Sequence, residues 1–388
     1  ARHSHAWVIQ NPTWPVEWKQ ISPFLGWQDY QWTGQADLSL AFMQQMYDRT
    51  MISFRENSSG LLDTSGMGRH IVDWMPDGSE SDETVARHEF TASKHMSVSN
   101  AFCVRGLELL SSMMAVAGRR DNATKFGKQA AALKAAMMEQ MWNGSAFCDG
   151  VCSEVGNNSL VMSNLFSLAF GLVPQKDVGP VWRGVADWGL EQMGDYGAFW
   201  YQAALAGSYY APPRETPDDD GSAIFKALTK CDKDSWCSGM RDDALTMTRE
   251  SWHDGTYSHE WGASPIVGVV WGLMGVQQTS AGWATFTVKP KLGGLTHASL
   301  LVPTIRGHIN VTAAVGKVAV HVPCNSIAVL CLPRSAHDRA FYTPRSTRLL
   351  LDGAEVSSEV RGGHLCASRA LGCGKGGEPR QLRAEPRV

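Results

Sequence analysis

The chain has 388 residues, and its 35 Lys and Arg against 38 Asp and Glu leave a formal charge of −3. So balanced a surface argues against a dedicated nucleic-acid binder, and 44% apolar residues are ample for a large core, unlike a disordered chain. At roughly 150 residues per domain the length predicts two or three domains, and no apolar stretch approaches the roughly 20 residues of a membrane-spanning helix, so membrane insertion is not expected.

From Asp37 to about Val276 the apolar spacing is helical. A first helix is expected near Asp37 to Phe54, with Asp37 as N-cap and a one-sided stripe of Leu38, Phe42 and Met46. Ser97 or Ser99 opens a second, carrying Phe102, Leu109, Leu110 and Met113. After Gly118, the run Asp121-Asn122-Ala123-Thr124 opens a third with Phe126, Leu133 and Met137, closing a helical hairpin. Further helices are expected at Ser159 to Phe170, Val178 to Met193, Phe199 to Tyr209, Ala223 to Lys230, Arg241 to Trp252 and Ser264 to Val276. After Gly282 the pattern alternates: Trp283 to Val288, Ile305 to Thr312, Val318 to Val322 and Ile327 to Leu332 read as strands of an antiparallel sandwich, with glycine-containing turns between them. The division expected is a helical domain over 1–276, a β domain over 277–360, and a Gly/Arg-rich tail over 361–388 with little packed structure.

The chain opens Ala1-Arg2-His3 with no hydrophobic signal core, so a targeting segment has been removed or the chain is a piece of something longer. Five of its ten asparagines head Asn-x-Ser/Thr acceptors: Asn57, Asn122, Asn143, Asn157 and Asn310. Eight of the nine cysteines form close pairs, Cys148 with Cys152, Cys231 with Cys237, Cys324 with Cys331 and Cys366 with Cys373, and only Cys103 is left over. Their spacing suits local disulfides better than zinc knuckles. Together these features point to a secreted eukaryotic glycoprotein.

The composition holds 15 tryptophans. Many lie in polar, loop-like surroundings: Trp14, Trp18, Trp27 and Trp32 early on, Trp74 in Ile71-Val72-Asp73-Trp74, and Trp252 and Trp261 around His253, Asp254, His259 and Glu260. An indole offers a flat apolar face to the C–H groups of a sugar ring, while neighbouring carboxylates and imidazoles satisfy its hydroxyls. Glycoside hydrolysis then needs two carboxyl groups, one to protonate the leaving oxygen and one to activate water. Glu17, Asp29, Asp73, Glu250, Asp254 and Glu260 are the candidates, and Glu250 stands out at the expected end of a helix, Thr246 to Trp252. No phosphate-cradling glycine loop, nucleophile elbow or zinc pair competes, and no cofactor or metal is implied.

The segments Asn11-Pro12-Thr13-Trp14-Pro15-Val16-Glu17-Trp18, Trp27-Gln28-Asp29-Tyr30, Thr246-Met247-Thr248-Arg249-Glu250-Ser251-Trp252 and Tyr257-Ser258-His259-Glu260-Trp261-Gly262 resemble the bacterial-type α-L-rhamnosidases, glycoside hydrolase family 78. So does Val302-Pro303-Thr304-Ile305-Arg306-Gly307 in the β region, and the likeness runs from Asn11 to about Leu332. The resemblance implies a mainly α fold, an (α/α)6 six-hairpin toroid incomplete at its N-terminus, followed by a C-terminal antiparallel β-sandwich. It implies an inverting hydrolase that removes terminal α-L-rhamnose from a glycoside or polysaccharide. Glu250 maps onto the general base, His259 onto a rhamnose-hydroxyl contact, Trp74 onto a stacking surface with Asp73 beside it, and Glu17 and Trp18 onto the cavity rim, with Trp252 a further substrate-binding candidate. The family's general acid lies in an acidic, arginine-containing motif upstream of the Trp-Pro-x-Glu-Trp segment, where this chain has not yet begun. About ten helical segments, where a full toroid has twelve, agree with a missing leading hairpin. The alternatives are a non-catalytic carbohydrate-binding relative and a six-hairpin glycosidase for another sugar.

Overall fold

The computed structural model describes residues 15–67, 70, 72–73, 93–155, 161–190, 193–207, 220–242, 245–252, 255–334, 343–361, 363–368 and 370–386. Within these, a helical region is followed by a region of strands. No described helix is long and apolar enough to cross a membrane.

The helices divide into fully buried and half-buried kinds. The helix Ser97–Val116 is apolar or small nearly all round, and buries Phe102, Leu107, Leu110 and Met113 together with Ser99 and Asn100; a helix without a wet face belongs inside. Its hairpin partner Arg120–Gln140 buries only Phe126, Ala130, Leu133, Ala136 and Met137, one stripe at helical spacing, and forms an outer layer. The same contrast separates the buried helices Val161–Ala169 and Asp195–Ala206 from Val178–Trp188, whose apolar residues form one stripe. Where the inner helices meet, Phe102 lies 4.8–5.9 Å, centroid to centroid, from Phe24, Phe166, Phe170 and Trp200. Tilted and edge-on contacts of this kind add to the area term.

Two expected helices come out differently. The stretch from Asp37 breaks at Phe42 into Asp37–Ala41 and Met43–Arg49, followed by a single turn Ile52–Phe54 that Met51 opens at φ 64°; Asp37 is the first helical residue, not the cap. The expected helix from Arg241 to Trp252 is instead Trp236–Asp242, and residues 245–252 are not helical. There Thr246 and Thr248 are β-branched and Gly255 takes φ 91°, so the segment turns back on itself. Arg249 bridges Tyr257, and Thr248 Oγ1 donates to His259 O at 2.6 Å.

The strands form three sheets: β1 (Val276–Gln278), β2 (Thr285–Val288) and β6 (Ile327–Leu330) in one; β9 (Ser358–Arg361) and β10 (His364–Ala367) in a hairpin; and six strands in the order β3 (His297–Thr304), β4 (Gly307–Ala314), β5 (Lys317–His321), β11 (Arg380–Pro386), β7 (Thr347–Leu351) and β8 (Ala354–Val356). Every pairing is antiparallel except β2 with β6. Alternate residues Ile309, Val311 and Ala313 of β4 and Val318 and Val320 of β5 face the same core as Phe286 and Val288 of the smaller sheet, which makes a sandwich. β3 escaped the alternation pattern because Leu300, Leu301 and Val302 run on without a break; its Pro303 is tolerated on an edge strand.

The tail expected over 361–388 is not loose. β11 lies between β5 and β7, pairing Leu382 with both Val318 and Leu351, because a fully buried Leu382 on an extended backbone fills an otherwise open seam. The disulfides of the β region also differ from the close-pair expectation. Cys148–Cys152 and Cys231–Cys237 form as expected, but Cys324 joins Cys373 and Cys331 joins Cys366. The cause is strand pairing: Cys331, just after β6, bridges directly to Cys366 in β10.

The helical and strand regions are tied together. Gln278 Nε2 donates to Gln31 O at 2.7 Å, Trp32 packs edge-on against Trp283 at 5.4 Å, and Gly34 meets Gly282 backbone to backbone, both at positive φ.

Candidate active site

Glu17 and Trp18 lie on the short helix Val16–Gln20, started by Pro15. Glu17 is not at a rim: it is 0% exposed, because this face of the helix packs against Ser97–Val116. Its Oε1 bonds His70 Nδ1 at 2.8 Å and accepts from Ser99 Oγ at 3.5 Å. Burial disfavours the charged imidazole, but the hydrogen bond and charge of Glu17 outweigh it and raise the His70 pKa above its ordinary value. Trp18 turns the other way and meets Trp261 edge-on at 5.3 Å.

Asp73 is buried and grips the start of the helix Asp195–Ala206, accepting from Gly194 N at 2.8 Å and Gly197 N at 3.1 Å. A carboxylate at a helix N-terminus gains from both orphan N–H groups and the helix dipole. Gly197 permits this approach, since a Cβ there would land on the Asp73 carboxylate. Val72, just before Asp73, has φ 62°. That conformation is rare and costly for a β-branched residue, and such strain concentrates at functional sites.

Asp195 is 3% exposed. Burial, then the neighbouring charge of Asp73, push its carboxyl up to about 8, with Arg249 pulling the other way. Beside it Tyr196 is buried with its phenol pKa raised, chiefly by burial, and its ring stands 5.4 Å from Trp261. Trp261 in turn carries His259 at 4.8 Å. Trp18, Tyr196 and His259 thus gather round Trp261 as an aromatic wall, with Glu17 and Asp73 close enough to Tyr196 to help raise its phenol pKa and Asp195 next to it on the same helix.

Glu250 and His259 sit at opposite ends of the turn that replaces the expected helix. Glu250 is half-buried, and its Oε2 accepts from Thr256 N at 3.0 Å and Thr256 Oγ1 at 2.9 Å, which fixes the carboxylate within its own loop. His259 Nδ1 accepts from Trp261 N at 3.3 Å, and Ser258 before it takes φ 56°. Trp252 is buried, donates from Nε1 to Met193 O at 2.6 Å and stacks edge-on against Trp236 at 5.1 Å, so it anchors the turn next to Gly194. Trp74, and His253 and Asp254 beside Trp252, lie outside the described residues.

The structure therefore joins Glu17, Trp18, Asp73 and His259 through one chain of contacts, with Glu250 two residues from Trp252 in the adjoining turn. Sequence reasoning missed Asp195, Tyr196, His70 and Arg249. Gly194-Asp195-Tyr196-Gly197 reads as an ordinary acidic helix start, and nothing local shows that it is buried against Asp73. Among the described residues no group of three or more His, Cys, Asp or Glu could hold a metal ion.

The bacterial alpha-L-rhamnosidase 6 hairpin glycosidase domain matches residues 5–265, and the C-terminal domain of the same enzymes matches residues 275–343. The chain is a member of the bacterial α-L-rhamnosidase family, with a six-hairpin glycosidase domain followed by its β domain. No curated protein sequence matches it. Among solved structures, the α-L-rhamnosidase from Dictyoglumus thermophilum aligns over 95% of this chain and 39% of its own, at TM-score 0.69 and 15% identity. A native α-L-rhamnosidase from Aspergillus terreus aligns over 82% and 36%, at 0.61 and 16%. A rhamnosidase from Klebsiella oxytoca with rhamnose bound aligns over 67% and 47%, at 0.50 and 12%. The chain spans less than half the length of each.

Proposed function

We propose that this chain is the helical and C-terminal portion of an inverting α-L-rhamnosidase. The observation that carries the reading is the wall of Trp18, Tyr196, Trp261 and His259 backed by buried carboxyl groups, inside a domain of the rhamnosidase family. Rhamnose, an uncharged deoxysugar, suits such a site: apolar ring faces meet indoles, and hydroxyls meet carboxyl and imidazole groups. The rhamnose bound to the Klebsiella oxytoca structure supports a rhamnose-containing glycoside as substrate.

Glu250, oriented by Thr256, is the general base that takes a proton from water as it attacks the anomeric carbon. His259 contacts a sugar hydroxyl, and Trp74 stacks on the ring next to Asp73. A general acid must protonate the leaving oxygen, and an inverting pair would stand roughly 6.5–9.5 Å apart to admit the water. Four disulfides suit an oxidising, extracellular setting. There, the exposed Asn57, Asn143 and Asn310 would carry glycans in preference to the half-buried Asn122, whose Nδ2 faces Met43.

The test is proton NMR of 4-nitrophenyl α-L-rhamnoside hydrolysis by the whole protein. Inversion requires β-L-rhamnose as the first product. First release of the α anomer contradicts the mechanism; rhamnose binding without any release makes this a carbohydrate-binding relative.

A further inference from the structure

In the polar knot of Glu56, Lys94, His95 and Glu154, Glu56 accepts from His95 Nε2 and Lys94 Nζ at 2.9 Å each and Ser93 donates to Glu154 at 3.0 Å, while His95 Nδ1 reaches Glu154 Oε2 only at 3.8 Å. It ties the segments at Glu56 and Lys94 to the short helix Cys152–Val155, away from the aromatic residues of the candidate site.

Asp195 is different. It lies at the start of an inner helix beside Tyr196, whose ring forms part of the aromatic wall, and its Oδ1 is buried with no hydrogen-bond partner among the described residues. Buried carboxyl oxygens without partners are rare and call for an explanation. The backbone N–H groups that could have satisfied it, those of Gly194 and Gly197, are taken by Asp73. We propose that Asp195 is a sugar-binding residue of this site, a carboxylic acid that donates its proton in a hydrogen bond to a hydroxyl of the rhamnose unit. This role rests on the rhamnoside-site reading and adds to it the group that recognises the sugar.

The protonation states make the role specific. Two carboxyl groups side by side in a buried place do not both ionise readily. Asp73 is the one held by N–H donors, so the proton falls to Asp195, and an ionised carboxylate would offer a sugar only acceptors. The groups facing Asp195 are Asp73 from the preceding loop and Arg249 from the Glu250 turn; Tyr196, on its own helix, faces Glu17 and Asp73. Below about pH 8 the donor is present. As pH rises through that value the proton is lost, the donor becomes an acceptor, and repulsion from Asp73 grows, so sugar affinity falls.

The experiment is calorimetric titration of L-rhamnose into the whole protein at pH values from 6 to 9.5, for wild type, Asp195→Asn and Asp195→Leu. Wild-type affinity should fall by at least fivefold between pH 7 and 9.5. Asp195→Asn, which keeps a neutral donor, should bind more weakly than wild type by less than about fivefold at pH 7 and show no fall with pH. Asp195→Leu should lose tenfold or more at every pH below 8. Unchanged affinity in Asp195→Leu, or a surviving alkaline fall in Asp195→Asn, overturns the role while leaving the sugar site standing. If Asp195→Leu does not fold, the pH profile of Asp195→Asn decides alone. No rhamnose binding by the wild type overturns the sugar site and this role together.

Discussion

At the scale of single residues, the site rests on a few groups that have no freedom to be anything else. Gly197 is the clearest. A methyl group there would occupy the space of the Asp73 carboxylate, so Gly197→Ala must displace Asp73 from the helix start. Because that breaks two buried hydrogen bonds to a charged group, the cost should be about 2–4 kcal/mol, measured by denaturant unfolding, with loss of rhamnoside turnover. Wild-type stability and turnover in Gly197→Ala would remove Asp73 from its assigned place. Much of this was legible beforehand in kind but not in arrangement. The Trp-plus-carboxylate groupings Glu17-Trp18 and Asp73-Trp74 marked Glu17, Trp18 and Asp73 as sugar-site candidates. Burial of Glu17 against Ser99 and His70 was not legible, because it depends on a helix some eighty positions further on. Asp195 was invisible for the same reason: its meaning comes from Asp73, 122 positions earlier in the chain.

At the scale of elements, period and burial explain most of what forms. Long runs with one apolar stripe, such as Arg120–Gln140, were readable from spacing alone, and so was the mostly apolar Ser97–Val116. The segment from Arg241 to Trp252 was misread as a helix: Leu245 and Met247 stand two residues apart, an extended rather than helical interval, and Thr246, Thr248 and Gly255 favour the turn that carries Glu250. The C-terminal strand misled in the opposite direction: Gly and Arg around it suggested looseness, while Leu382 seats it in the sheet. Its position between β5 and β7 leads to a clear expectation. Deleting residues 379–388 would expose the edges of both strands and part of the core under Leu382, and unpaired edges of this kind invite association. Size-exclusion chromatography of the shortened protein should show aggregation or proteolysis of the β region; a monomer with unchanged thermal stability would mean that β11 is dispensable.

At the scale of the whole molecule, the sandwich is closed by covalent and strand contacts made across long sequence distances. The disulfides Cys324–Cys373 and Cys331–Cys366 close loops of 49 and 35 residues. In the chain-entropy picture each such loop contributes about 4 kcal/mol, against about 2 for a loop as short as Cys148–Cys152. These long cross-links were not legible from cysteine spacing, which only measures distance along the chain. The helical region docks on this sandwich through Trp32, Gly34 and Gln31, so the two regions are joined in one body. The central claim is that this body holds a rhamnoside with Glu250 as the base that activates water. The most direct measurement is kcat for an aryl α-L-rhamnoside, with L-rhamnose affinity measured in parallel, in the whole protein and its Glu250→Gln variant. The account predicts a loss of about 100-fold or more in kcat with sugar binding preserved; wild-type turnover by Glu250→Gln would contradict it.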